Sequence, residues 1–122
     1  MPAHARSCCP VACTLDLLGD RWTLLVVRDL FAGKSAFSDF AKSPEGIATN
    51  ILSDRLAQLV AHGLAEKAVP DGARRARYRL TGKGRSLGPV LEAVAGWGLT
   101  HIEGTEARIA VPGTALGRKE AR

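Results

Sequence analysis

The chain has 122 residues, 46% apolar and 24% charged, which suits one folded domain with its own core and excludes a fibrous repeat or a wholly disordered chain. Seventeen Lys and Arg oppose twelve Asp and Glu, for a net charge of +5. Apolar runs stay short of the roughly eighteen residues of a membrane helix, and the opening MPAHARSCCP lacks the apolar stretch of a secretory leader, so a cytoplasmic protein without a membrane partner is expected.

Residues 10–18 place Val11, Leu15 and Leu18 on one helical face behind Pro10, a residue suited to a first turn, so a short amphipathic helix is predicted. Gly19 and Asp20 end it, and Asp20 can cap a second helix over 21–31 whose apolar residues, from Trp22 to Phe31, cover most of its circumference. That helix is expected to form the middle of the core. Gly33 stops it, and Phe37, Phe40 and Ala41 mark a third helix of about two turns over 37–43, ended near Pro44. Over 49–62, Leu52, Leu56, Leu59 and Val60 follow helical spacing, with Gly63 as the C-terminal stop. The opposite face carries Thr49, Asn50, Ser53, Asp54 and Ala57.

Two strand-like runs, 64–69 and 75–81, flank Pro70-Asp71-Gly72-Ala73 and predict a β-hairpin. From Gly84 to about Glu103 a last helix carries Leu87, Val90, Leu91, Val94, Trp97 and Ile102, weakened by Gly88, Pro89, Gly96 and Gly98. Residues 1–103 are read as the domain and 104–122, with little periodicity, as a flexible tail. The expected class is mainly α with a small β-hairpin (α+β): a winged helix-turn-helix with extra N- and C-terminal dimerisation helices.

The basic excess is local. Between residues 67 and 85, seven Lys and Arg side chains face only Asp71, a net of +6 against −1 for the rest of the chain, which is the footprint of a polyphosphate partner. Helices 37–43 and 49–62 could present the second of the pair to a DNA major groove, which admits one α-helix. Asn50 has the amide geometry to pair with an adenine edge, and Ser38 and Ser53 can donate to bases or phosphates. Thr49 could do the same or merely cap its helix, and Arg55 could reach a phosphate or pair with Asp54 or another acid. Arg74, Arg75 and Arg77 would meet flanking phosphates or a minor groove.

Trp22 and Trp97 lie on apolar faces and are read first as packing residues. Val11, Leu15 and Leu18 at one end, with Leu91, Val94 and Trp97 at the other, exceed what a three-helix core covers, so a homodimer is expected. The three cysteines, Cys8, Cys9 and Cys13, make a poor disulfide set. An alternative reading, a metal-responsive regulator using His4 with Cys8, Cys9 and Cys13, lacks a C-x-x-C chelate, and no metal is assigned. His4, His62 and His101 sit in no catalytic context, and there is neither a Gly-rich phosphate loop nor a carboxylate pair, so no enzyme and no cofactor are expected.

Cys9-Pro10-Val11, Thr14-Leu15-Asp16-Leu17-Leu18-Gly19, Arg21-Trp22-Thr23-Leu24-Leu25 and Arg28-Asp29-Leu30 together resemble the N-terminal signature of HxlR-type regulators, within the MarR-like superfamily. Phe37-Ser38-Asp39-Phe40, Gly46-Ile47, Asn50-Ile51-Leu52-Ser53-Asp54-Arg55-Leu56, Gly63-Leu64 and Tyr78-Arg79-Leu80-Thr81-Gly82-Lys83-Gly84 extend the likeness as far as Trp97. The resemblance implies a homodimer that binds double-stranded operator DNA and represses or activates nearby genes, a repressor being the favoured of the two. It places Asn50, Ser53 and Arg55 on the recognition helix and makes the hairpin the wing. Here Asp71-Gly72-Ala73-Arg74-Arg75-Ala76 departs from the usual proline-containing wing and is more basic. Some relatives sense oxidants or electrophiles through the cysteine before the Pro-Val step, which is Cys9 here, with Cys8 and Cys13 as resolving thiols. A thiol at a helix N-terminus has a depressed pKa, which suits that role, whereas the plainer reading makes these cysteines small interface residues.

Overall fold

In the computed structural model, which describes residues 7–106, six helices and one hairpin follow each other in the order α1 Pro10–Leu18, α2 Thr23–Phe31, α3 Phe37–Ala41, α4 Thr49–Ala61, β1 Ala65–Ala68, β2 Arg77–Leu80, α5 Gly82–Arg85 and α6 Gly88–His101. His4 and most of the expected tail 104–122 lie outside the described residues. The expected architecture, mainly helical with a two-stranded antiparallel hairpin, is the one observed.

The core forms where the apolar faces of α2, α4 and the hairpin meet. Val26, Val27 and Leu30 of α2 pack with Phe40, Leu52, Leu56, Leu59, Leu64 and Leu80, and Trp22 and Phe31 lean on that cluster half-buried. The 13-residue α4 puts Leu52, Leu56 and Leu59 inward at the spacing that makes one stripe. Its end is fastened from outside: the Lys83 Nζ donates to the His62 carbonyl at 3.0 Å and the Thr81 hydroxyl donates to the Gly63 carbonyl at 2.6 Å. Those carbonyls have no partner within the helix, and the lysine also suits the negative end of the helix dipole.

The hairpin pairs Ala65 with Leu80, Glu66 with Arg79, Lys67 with Tyr78 and Ala68 with Arg77. Alternation therefore turns Leu80 and Tyr78 toward the body and Arg77 and Arg79 outward. Gly72 at the tip has φ +80°, the left-handed conformation expected of the Asp-Gly turn. The wing is anchored at its base as well, because the Tyr78 amide donates to the Ser35 carbonyl at 2.9 Å and Ala36 bridges Arg77.

The last helix differs from the sequence expectation. Instead of one helix over 84–103 there are two, α5 and α6, meeting at Ser86-Leu87. Thr81 starts α5 early by accepting the Gly84 amide on its hydroxyl at 3.0 Å. Gly84 must then sit against the Leu64 carbonyl, where a Cβ would fall 2.0 Å from the oxygen, so the chain turns before resuming at Gly88. The expected start of α2 is also shifted, to Thr23, since Asp20 accepts the Trp22 and Thr23 amides at 2.9 and 3.1 Å from a position before the first turn.

Candidate nucleic-acid interface

Phe37 and Phe40 seed α3 by turning their rings into the body, and Asp39 fixes its start by accepting the Ala36 amide at 3.0 Å. Ser38 is thereby left exposed. The turn from α3 to α4 is held by a buried charge. Asp29, only 2% exposed although it lies on the core helix α2, accepts the Ser43 hydroxyl at 2.5 Å and both Nε and Nη2 of Arg28 at 3.1 and 2.9 Å. Lys34 donates to Ser43 at 2.8 Å, and Arg28 reaches across to Glu45 at 2.8 Å through two nitrogens. The network ties α2 to the loop that sets the angle between α3 and α4, and no buried side-chain polar atom among the described residues is left unpaired.

On α4, Thr49, Asn50, Ser53, Asp54 and Ala57 are exposed, in a face opposite the buried leucines. Thr49 does not cap the helix: Ala48 holds that position, and no side chain caps there. Arg55 is engaged by two acids, Asp20 at 2.8 Å and Asp54. Its expected role as a phosphate contact thus competes with pairing that the structure already provides. The Asp20 pairing joins residues 35 apart in the chain, which no local pattern announces.

Partial burial pushes the Asp20 carboxyl up, but hydrogen bonds from the Thr23 hydroxyl, the Trp22 amide, Arg55 and the Thr23 amide outweigh it and hold the pKa at about 2 instead of the ordinary 3.8. A depressed carboxylate contributes stability that is complete above its unfolded pKa and lost as the pH falls through the folded one. Asp20→Asn is therefore expected to flatten the acid limb of the melting curve between about pH 4 and pH 2, relative to the parent chain. Parallel limbs in the two proteins would show that the pairing adds nothing to folding.

The wing arginines differ among themselves. Arg74 and Arg75 are exposed in the loop between the strands. Arg77, on the outward face of β2, donates to the Ser35 hydroxyl at 3.1 Å and so links the wing to the start of the helix pair. Arg79 pairs with Glu66 across the hairpin at 2.8 Å, an exposed contact of small energetic weight.

The apolar residues expected on the outer faces of the terminal helices divide in two. Val11, Leu15, Val94 and Trp97 are more than half exposed, whereas Leu18 and Leu91 are buried within the protomer at 5% and 7%. Leu17 and Leu87, their neighbours in sequence or one turn away, pack on the central core, so this side of each helix faces inward. Leu18 and Leu91 consequently have little area to offer a second copy.

Cys8 and Cys9 are exposed, and Cys13 is half-buried, its thiol donating to the Ser7 carbonyl at 3.4 Å. Cys9 sits at the N-terminal boundary of α1, where the Ala12 and Val11 amides, though too loosely placed for a capping bond, hold its thiol below the ordinary value against a weaker upward push from burial. Among the described residues no group of three His, Cys, Asp or Glu side chains is placed to hold a metal ion, and no helix is long and apolar enough to cross a membrane.

A tri-helical helix-turn-helix with a basic hairpin against the second helix of the pair defines a winged helix-turn-helix domain. Residues 17–106 match the HxlR-like helix-turn-helix family, and the chain belongs to it. The HTH-type transcriptional regulator sll1512 of Synechocystis sp. is 36% identical over 96 residues, spanning 78% of this chain and 71% of its own. PA1607, a candidate transcription factor of known structure, shares 39% identity with a TM-score of 0.79, over 92% of this chain and 80% of its own. The redox regulator HypR in its reduced form superposes with a TM-score of 0.72 at 28% identity, over 78% of this chain and 95% of its own. The protein is a DNA-binding transcriptional regulator and not an enzyme.

Proposed function

We propose that the chain is a homodimeric, cytoplasmic repressor that grips operator DNA with α4 and the wing and releases it when Cys9 is modified by an oxidant or electrophile. The observation that carries the DNA reading is the exposure of Thr49, Asn50 and Ser53 on a helix whose other side is locked into the core, next to a wing bearing Arg74, Arg75 and Arg77. Asn50 and Ser53 read base edges, and Ser38 and the arginines position the duplex through its phosphates. Residues 1–103 act as the functional domain and 104–122 as an appended tail. The exposed Val11, Leu15, Val94 and Trp97 supply the dimer contact, which would appear as a doubled mass in light scattering at micromolar concentration.

Footprinting on the chain's own upstream region tests the regulator reading. Protection that disappears steeply as salt rises supports it; equal affinity for every duplex at every salt concentration would remove it.

The sensing step rests on the lowered Cys9 thiol and on the likeness to HypR, named as a redox regulator. A thiolate attacks an electrophile directly, or gives up two electrons to diamide as it pairs with a second thiol, Cys8, Cys13 or one on the other subunit, while diamide takes up two electrons and two protons. Cys9 is expected to react with iodoacetamide along a pH profile whose midpoint lies below that of an ordinary thiol. Diamide should release the operator from the parent protein and leave a Cys9→Ser variant bound. Release of both proteins alike would assign the response elsewhere.

A further inference from the structure

Asn50, Asp54 and Ala57 follow one another at helical spacing along the exposed side of α4, so an acid stands one turn beyond Asn50 on the same face. A carboxylate facing a polyanion is repelled unless a donor meets it. This one is also fixed in orientation. Its Oδ2 accepts both Nε2 of Gln58, at 3.2 Å from the following turn, and Nη1 of Arg55. Arg55 is anchored in turn by its Nε on Oδ2 of Asp20 at 2.8 Å, and the Trp22 and Thr23 amides hold Asp20. A series of contacts therefore runs from the start of α2 to the exposed face of α4 and ends on a single oxygen of Asp54. The other oxygen, Oδ1, accepts no hydrogen bond from the described residues.

We propose that Asp54 is a specificity-determining residue whose Oδ1 reads a cytosine in the operator, one or two base pairs from the base met by Asn50. An ionised carboxylate can only accept, and the N4 amino group is the one hydrogen-bonding group that cytosine shows in the major groove. Adenine sets its N7 acceptor beside its amino group, and guanine and thymine offer acceptors alone, so each of them turns a lone pair toward the carboxylate. Discrimination then comes from repulsion of the wrong base as much as from attraction of the right one. Successive turns of α4 lie about 5.4 Å apart and successive base pairs about 3.4 Å, which sets the spacing between the two contacts. Because Gln58 and Arg55 already hold the carboxylate, little side-chain freedom is lost when the base arrives. This contact rests on the DNA reading of α4.

Selection of duplexes from a randomised pool, with the full chain and with its Asp54→Ala, Asp54→Asn and Asn50→Ala variants, tests the contact. The parent is expected to recover a motif with a cytosine one or two base pairs from the position that Asn50→Ala relaxes. Replacing that C·G pair should weaken the parent roughly tenfold and Asp54→Ala by less than about twofold, with preferences elsewhere in the motif unchanged. Asp54→Asn should exchange the letter instead of losing it, adenine for cytosine, because an amide both donates and accepts. A role confined to holding Arg55 in place would produce no such exchange. A motif without cytosine at that spacing, or an undiminished cytosine preference in Asp54→Ala or Asp54→Asn, overturns the contact while the DNA reading stands. A parent chain that binds every duplex alike, or none, overturns the DNA reading and the contact with it.

Discussion

Replacing Arg74, Arg75 and Arg77 together with glutamine is expected to cut affinity for any duplex on the order of 100-fold at 0.1 M salt. Each arginine that neutralises a phosphate releases counterions, so the slope of log K against log salt should also fall by up to about 3. The loss should be nearly uniform across sequences, because phosphates carry no base identity. Asn50→Ala provides the contrast: it should cost about 1–3 kcal/mol on the cognate operator and little on random DNA, leaving the salt slope unchanged. Fluorescence anisotropy titrations at several salt concentrations measure all of these quantities. A triple variant with parental slope would mean that the wing does not touch the backbone.

Asp29→Ala is expected to lower folding stability by about 3–5 kcal/mol, the usual consequence of removing one member of a buried charged network. The alanine would leave Arg28 and the buried Ser43 hydroxyl without the acceptor they now share, inside a site that water does not reach easily. Urea denaturation measures the change, with Glu66→Ala as a control expected to cost less than about 1 kcal/mol because its pair with Arg79 is exposed. Because Ser43 lies in the turn between α3 and α4, the Asp29 variant should also bind its operator more weakly under conditions where it is still folded. A loss below about 1 kcal/mol would show that the network sets orientation without stabilising the fold.

Those two experiments address parts of the molecule that differed in how far the amino-acid order announced them. The stripe Leu52, Leu56, Leu59 ended by Gly63, and the Asp71-Gly72 turn between two short strand-like runs, are local patterns, and both elements lie within a residue or two of where they were expected. Local patterns fail where a distant group intervenes. The split between α5 and α6 comes from the close approach of Gly84 to Leu64, twenty positions earlier, and from the Thr81 hydroxyl, which serves Gly84 and the end of α4 at once. Periodicity alone could not divide Leu18 and Leu91 from Val11, Leu15, Val94 and Trp97, since it identifies an apolar face without saying which edge of that face the protomer itself covers.

The polar network was half legible. A charged pair, Arg28-Asp29, in the middle of a helix otherwise apolar around most of its girth was a signal that something polar had to meet it inside, but nothing in the order of residues named Ser43, Lys34 and Glu45 as the partners. Arg55 shows the same limit. Its spacing on α4 made it a reasonable DNA contact, and only the fold brings Asp20 beside it.

That contact has a kinetic consequence. With Arg55 already neutralised by two carboxylates, most of the chain's long-range pull on a polyanion comes from the hairpin tip, so in the proposed complex the tip lands first and the helix follows into its groove. Landing and insertion are then governed by separate residues: charge changes after Gly72 alter how fast a complex forms, and changes at Asn50 alter how long it lasts.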